Sequence, residues 1–462
     1  FKTVSFELIL LPPIIFDAGF SLRKTSLFSN FGAIMLFAVI GTLLSTTVIG
    51  IAVFMFLTAF PVTTAPPNAF ECGMFGALIS AVDPVASLAV FASVFNIKNE
   101  RGSSSPVLYN LVFGESVLND AVSIVLFNQF QSFYLDNTGA QLNFEACAAI
   151  AGKFIFVSGV SLLIGLSCGM ATSKLLMHTN QHQDTAYELV AVLISGYLSF
   201  FLAELGHLSG IVSIFFCGIA NSHYSWYNIS TQGKLILPKV FHTISHLMET
   251  MIFAYLGMSI FSFSKKHQWN FGFICFVLGL CYIARAVGTF PLSAIANLSR
   301  RRKISCKEQV VLWFAGLRGA IAFALAIEMT DLKTKQNPQQ EGSPHSWLFV
   351  TTTLVVVLFT TFVNGGLTAP LLKVLKIEND SMMLPKSSQP VWRRTFKQLD
   401  RKYFRRFLVN ERSQSTKKVD KVVSGYGDSS DLSRTVTTAL AKSLFHSGQA
   451  ALPRRNYSKY NS

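Results

Sequence analysis

The feature that most constrains what this chain can become is a series of eleven apolar stretches, at about residues 3–21, 31–57, 70–96, 106–135, 148–177, 185–204, 208–221, 240–263, 270–298, 308–330 and 347–372. Most reach the roughly 20 residues that a helix needs to cross hydrocarbon. The seventh is short and reads as interrupted or tilted. Hydrophobic residues make up 51% of the chain and charged ones 14%, and mean hydropathy is +0.43. A soluble chain of this size would need more charge to cover its surface. The expected fold class is therefore an all-α, multi-pass membrane protein. The sequence opens at Phe1, without a Met, just before an apolar run, and reads as a form that lacks N-terminal spans.

Several function classes fall away on the same grounds. None of the seven cysteines forms a CxxC pair and most lie inside apolar runs, so neither a disulfide framework nor a zinc knuckle is expected. There is no Walker A loop to cradle a nucleotide, and ATP hydrolysis is not expected. With no HExxH pattern and no nucleophile–base constellation, the chain does not read as an enzyme. No cofactor is called for, nor any resident metal.

The net charge of +15 is concentrated at one end: residues 373–462 hold 19 Lys and Arg against 7 Asp and Glu, a net of +12. That asymmetry suits a basic tail beside an anionic membrane surface, and does not suggest a nucleic-acid partner. Loops give the orientation. Arg23 and Lys24 follow the first stretch, Lys98 and Arg101 the third, and Lys234 and Lys239 the seventh; Arg300, Arg301, Arg302, Lys303 and Lys307 follow the ninth. The loops after the second and sixth carry no Lys or Arg. Odd-numbered loops and the C-terminal tail are thus cytoplasmic by the positive-inside rule, with Lys265 and Lys266 dissenting.

Two spans read as broken. The third carries Asp83-Pro84 at mid-depth, and the tenth carries Arg318 between Gly316 and Gly319. They lie seven spans apart, and an odd offset means that they cross the bilayer in opposite directions. This is the mark of an inverted repeat whose two discontinuous helices meet at a midplane binding site.

Ionisable groups within spans are costly and default to functional hypotheses. The fourth span holds the densest set, Phe113-Gly114-Glu115-Ser116-Val117-Leu118-Asn119-Asp120. Residues four apart share a helical row, so Glu115 stands with Asn119, and Ser116 with Asp120. Alkali cations prefer hard oxygen ligands, as Ca²⁺ and Mg²⁺ do, and Asp120, Ser116 and Asn119 offer a carboxylate, a hydroxyl and an amide carbonyl. Dry surroundings favour the protonated form of a carboxylate. One such group can therefore hold either H⁺ or Na⁺, the minimum that exchange requires. Arg285 and Arg318 lie mid-span, and either could neutralise Glu115. Asp83 is a candidate for the ion path, or for a cap on the half-helix that follows it. His242, His246 and Glu249 share one face of the eighth span; the histidines read as interfacial or pH-sensing and Glu249 as a weaker candidate. No role is assigned to Asp17.

In the tail, Trp392, Phe396, Leu399, Tyr403 and Phe407 fall on one helical stripe, with Arg401, Lys402, Arg405 and Arg406 among the basic residues around it. A basic amphipathic helix of this kind suits an anionic lipid surface or an EF-hand-type regulator. The expected boundaries are a membrane domain over 1–373, this juxtamembrane segment over 374–410, and a largely disordered cytoplasmic tail over 411–462.

Four motifs in order, Leu11–Gly19, Ala81–Ala86, Phe113–Ser123 and Gly316–Ile321, resemble those of the eukaryotic sodium/hydrogen exchangers, and the resemblance covers residues 1 to about 408. Ser209–His223 and Gly257–Phe263 are similar to the Golgi and endosomal branch typified by isoform eight. The resemblance implies an inverted-repeat cation/proton antiporter of thirteen spans, about eleven of them present here, and a homodimer. It implies that Asn119 and Asp120 bind the ion with Ser116 nearby, and that Glu115 pairs with Arg285. It also implies electroneutral exchange of Na⁺ or K⁺ for H⁺ in a Golgi or endosomal membrane, or else the plasma membrane. A cation channel using the same carboxylates is the alternative; it would need a continuous polar pore, and paired broken helices favour alternating access.

Overall fold

In a lipid environment a spanning backbone must satisfy its own N–H and C=O groups, and the helix is the form in which one segment does so alone. The computed structural model follows that rule. It describes residues 6–22, 32–60, 62, 66–83, 107–136, 144–179, 185–262, 267–299, 303–332, 343–375 and 408. Seven of its helical stretches are long and apolar enough to cross a membrane: Gly32–Ala59, Leu111–Leu135, Ala148–His178, Thr185–Leu205, Thr231–Ser262, Phe271–Leu298 and Ser346–Val374. The juxtamembrane and tail segments, with Arg401, Lys402, Arg405 and Arg406, lie outside the described residues apart from Val374, Leu375 and Leu408.

In chain order the helices are α1 (Leu11–Ser21), α2 (Thr42–Ala59), α3 (Ala69–Ser80), α4 (Val107–Asp136), α5 (Phe144–His178), α6 (Thr185–Leu205) and α7 (Gly210–Ala220). They continue with α8 (Thr231–Ser262), α9 (Phe271–Ser299), α10 (Cys306–Phe314), α11 (Ala320–Glu328), α12 (Ser346–Phe359) and α13 (Gly365–Val374). Wide π-turns adjoin several of them: Phe6–Leu10 before α1, Leu36–Gly41 before α2, Asn221–Ser225 after α7, and Thr360–Asn364 between α12 and α13.

Local chemistry sets the ends. Asn68 caps α3 by accepting from the Phe70 amide, and Ser209 caps α7. Ser305 and Glu308 form a reciprocal capping box on α10, which satisfies two of the backbone groups left open at a helix start. The eighth span begins at Thr231, earlier than the expected 240. The cause is Ser230, whose hydroxyl accepts from the Gly233 amide at 3.0 Å while its own amide donates to Glu188 at 2.8 Å.

The helices sort into two bundles. One, called the scaffold here, packs α1, α5 and α6 around α7, with α8 against α1 and α6. The other, the core, packs α2, α3 and α4 with α9 to α13. Aromatic stacking fills the core, as between Phe75 and Phe349 (4.3 Å between centroids) and between Phe56 and Phe276 (4.5 Å). The bundles meet where α4 touches α1 and α5, and where α8 touches α11. At the second contact Leu10, Ile252 and Ala320 make a small apolar seam, flanked by Ile14, Met248 and Phe253.

Candidate functional site

Both expected breaks are present, and they touch. Helix α3 stops at Ser80, while α10 stops at Phe314 and α11 resumes at Ala320. The two extended strips run antiparallel, with the Asp83 amide donating to the Leu317 carbonyl at 2.9 Å. The half-helix expected after Asp83 lies outside the described residues.

Charge organises this crossing. A helix C-terminus presents open carbonyls and a partial negative charge. The Arg318 guanidinium meets that end of α3, donating to Ser80 O at 2.9 Å and Ala81 O at 3.2 Å. Its own backbone amide donates to Thr360 Oγ1 in the π-turn after α12, at 3.1 Å. Asp83 sits over the opposite kind of end, the N-terminus of α11. A side chain at Gly319 would bring Cβ within 2.5 Å of Asp83 Cβ, so the close approach depends on glycine.

Helix α4 passes beside the crossing and carries the polar set. Glu115, Ser116, Asn119 and Asp120 are all buried. Asp120 accepts a hydrogen bond from the Val82 amide, in the unwound strip, and lies within electrostatic reach of Asp83, Arg318 and Glu249. Asn119 is tied on both ends of its amide. Its Nδ2 donates to Ser80 O at 3.2 Å, and its Oδ1 accepts from Thr42 Oγ1 at 2.9 Å and Ser123 Oγ at 3.1 Å. The carbonyl oxygen expected to ligate a cation is thus occupied by two hydroxyls in this conformation.

One turn before Asn119, Glu115 Oε1 lies 2.6 Å from Arg285 Nη1. Arg285 also donates to the Leu312 carbonyl at 3.1 Å, so one guanidinium joins α4, α9 and α10. Of the two arginines that could neutralise Glu115, Arg285 does so, and Arg318 is spent on the end of α3. Gly316 gives Arg285 room: a Cβ there would stand 2.9 Å from Arg285 Nε.

Across the boundary, the scaffold contributes further acids. Asp17 on α1 lies 3.4 Å from His242 on α8 and accepts from Ser21 at 2.9 Å. Glu249 on α8 is within electrostatic reach of Asp17, Asp83 and Asp120, and His246 lies 3.9 Å from Glu249. Carboxylates from both bundles therefore face one region. Among the described residues, no group of three or more His, Cys, Asp or Glu has the arrangement of a resident metal site.

Sequence reading missed Thr42, Ser123 and Thr360. Hydroxyls inside an apolar span, such as Ser45-Thr46-Thr47 and Thr351-Thr352-Thr353, were the available signal. Which of them meets Asn119 or Arg318 depends on tertiary contact alone.

Three comparisons bear on this arrangement. A family model described as the transmembrane region of sodium/hydrogen exchangers matches residues 2–374. Sodium/hydrogen exchanger 8 of Homo sapiens is 39% identical over 379 residues, 82% of this chain and 62% of that protein. Sodium/hydrogen exchanger 2 of Arabidopsis thaliana is 38% identical over 388 residues, 80% of this chain and 66% of that protein. The chain thus spans a little under two thirds of these relatives. The solved structure of the sodium proton antiporter MjNhaP1 from Methanocaldococcus jannaschii at pH 8 superposes with a TM-score of 0.62 at 20% identity, covering 81% of this chain and 87% of that one. At that identity the likeness speaks for the fold.

Proposed function

The chain belongs to the sodium/hydrogen exchanger family, and from that premise we propose that it exchanges Na⁺ or K⁺ for H⁺ across a membrane by alternating access, with Asp120 as the group that holds either ion. The observation that carries this reading is the position of Asp120: a buried carboxylate beside two crossed, broken helices, at the boundary between two bundles. Broken helices at such a crossing expose backbone dipoles to an ion where intact helices would not. Ser116, buried one turn away on the same row, supplies a second hard oxygen.

Charge accounting supports one-for-one exchange. Glu115 and Arg285 neutralise each other. Arg318 answers the α3 terminus, and Asp83 stands over the α11 terminus. Asp120 then swaps one proton for one cation, so the site carries the same charge in both halves of the cycle and transport is electroneutral. Asn119 acts by positioning, holding the unwound strip at Ser80 against α4 and α2. The channel alternative draws no support from the relatives, whose names are those of exchangers and an antiporter.

Family resemblance supports the finer parts of the reading: a homodimer, a Golgi or endosomal membrane with the plasma membrane as the alternative, and a cytoplasmic tail that meets anionic lipid or an EF-hand-type regulator.

The test is Na⁺-driven pH change in proteoliposomes. Asp120→Asn keeps the shape and one oxygen but can neither release a proton nor neutralise a cation, so exchange is lost. Folding survives, because removing a buried charge removes its desolvation cost. A variant with a wild-type size-exclusion profile and undiminished exchange refutes the assignment.

A further inference from the structure

The chain passes from the scaffold to the core between α8 and α9, and His267 stands at that passage. Its Nε2 lies 3.2 Å from the Ser259 carbonyl in the last turn of α8, and its Nδ1 lies 3.1 Å from Thr351 Oγ1 on α12. Ser259 belongs to the scaffold and Thr351 to the core, and both are buried. A single imidazole therefore bridges the two bundles. The ring itself is only half-buried, with the exposed Gln268 and Trp269 following it, so a proton reaches it from water.

Hydrogen counting shows which form of the ring fits. A backbone carbonyl only accepts, so Nε2 must carry a hydrogen. Thr351 has one hydroxyl hydrogen, and its Oγ1 donates to the Trp347 carbonyl at 2.7 Å. Lone pairs are what remain for His267, so Nδ1 must carry a hydrogen too. A neutral imidazole has one N–H and one lone pair. It keeps both contacts only if Thr351 swings its hydrogen away from Trp347, whereas the imidazolium satisfies all three bonds at once. The place also suits a cation, because the C-terminal end of a helix carries partial negative charge.

Other ionisable groups belong to the neighbouring elements. Glu71 on α3 and His345 before α12 pair with each other at 3.1 Å. Tyr255, one turn before Ser259 on α8, is within electrostatic reach of Asp331 after α11. Lys265 and Lys266 precede His267 in the chain, and residues 271–281 at the start of α9 carry no charge. Among the described residues, no carboxylate pairs with His267.

We infer that His267 is a proton-binding site separate from Asp120, and that its protonation tightens the joint between scaffold and core. Histidine ordinarily changes charge between about pH 5 and 8, so acid at this face closes the joint and alkali loosens it. In a transporter whose two bundles shift against each other, a joint that must break before each shift slows the cycle. The proton site stands independently of which ion is carried; only its effect on rate rests on the exchange reading.

The full chain in lipid nanodiscs is melted at about pH 5 and about pH 8, wild type beside His267→Gln and Thr351→Val. Gln can donate one bond but takes no charge. Val keeps the shape of Thr351 and removes the hydroxyl that Nδ1 meets, so it stays informative if His267→Gln folds poorly. Glu71, His345, Tyr255 and Asp331 are present in all three proteins, so the difference between wild type and variant isolates His267. Wild type should melt above either variant by about 2–4 °C in acid, the shift expected of one charge-assisted hydrogen bond, and by clearly less at the alkaline pH. A gap that does not depend on pH in either variant overturns the proton site. This readout needs no transport, so it holds whether or not the antiport reading does. With acid on the His267 face and saturating Na⁺ on the other, exchange by wild type should be slower than by His267→Gln, and the two should match at the alkaline pH. Equal rates in acid, alongside a pH-dependent melting gap, overturn the control of transport and leave the proton site standing.

Discussion

At the scale of single residues, the site depends on what each buried charge faces. Glu115 and Arg285 are 3% and 13% exposed at their side chains and 2.6 Å apart, so removing one leaves the other unanswered. Glu115→Gln is expected to destabilise the protein by about 3–5 kcal/mol, while a neutral replacement of both recovers part of that loss. A thermal-shift double-mutant cycle reads the coupling directly, and additive effects would mean that the contact contributes nothing. Asp120 makes a different prediction because its partner is mobile. On the proposed mechanism protons and Na⁺ compete for this one carboxylate, so lowering the pH on the cation-binding side is expected to raise the apparent KM for Na⁺ and leave the maximal rate at saturating Na⁺ unchanged. A KM that stays flat as the pH is lowered would argue for separate sites. Asn119 reads from sequence as a cation ligand; in this conformation Thr42 and Ser123 donate to its oxygen, and its amide nitrogen ties Ser80 to α4.

At the scale of elements, the crossing is a close joint. Gly319→Ala would drive Cβ into Asp83, at 2.5 Å from its Cβ and 2.9 Å from Oδ2, and the neighbouring strip is pinned by the Asp83–Leu317 bond. Overpacking of this kind costs about 1–3 kcal/mol, and here it also pushes the Asp83 carboxylate off the α11 terminus. The variant should melt lower and transport more slowly; a melting temperature and rate equal to wild type would show that the strips can part without consequence. The breaks themselves were legible, because Pro behind Asp83 and glycines either side of Arg318 each stop a helix for a local reason. So was the run of helices, since long apolar stretches have one backbone solution in lipid. The start of α8 was not legible. Lys234, Pro238 and Lys239 read as loop chemistry, whereas Ser230 and Glu188, distant in sequence, begin the helix at Thr231. Nor were the π-turns, since an extra residue in a turn leaves no periodic signal over so short a span. The contact of His267 with Thr351 is a long-range event that no local pattern foretells.

At the scale of the whole molecule, alternating access requires the core and scaffold to move against each other while each stays internally packed. The structure offers a place to test that. Their boundary at α8 and α11 is a small apolar seam of Leu10, Ile252 and Ala320, far less extensive than the packing inside either bundle. Apolar contacts are non-directional, so a seam of this kind can slide where a hydrogen-bonded joint such as Asp83–Leu317 would have to break. Ile252 belongs to the scaffold and Ala320 to the core, so a bond between them would fix one bundle on the other without altering either. Replacing both with cysteine in a background that lacks the native cysteines, then oxidising, should abolish Na⁺-driven exchange in proportion to the cross-linked fraction. Reduction should restore it, because the fold was never disturbed. The controls are the two single-cysteine variants, Ile252→Cys and Ala320→Cys, oxidised in the same way, whose rates should be unchanged. If the Ile252→Cys and Ala320→Cys pair cross-links fully and transport continues at the reduced-state rate, the two bundles do not move past each other at this seam, and the ion must gain access from each side by a more local rearrangement around Asp120.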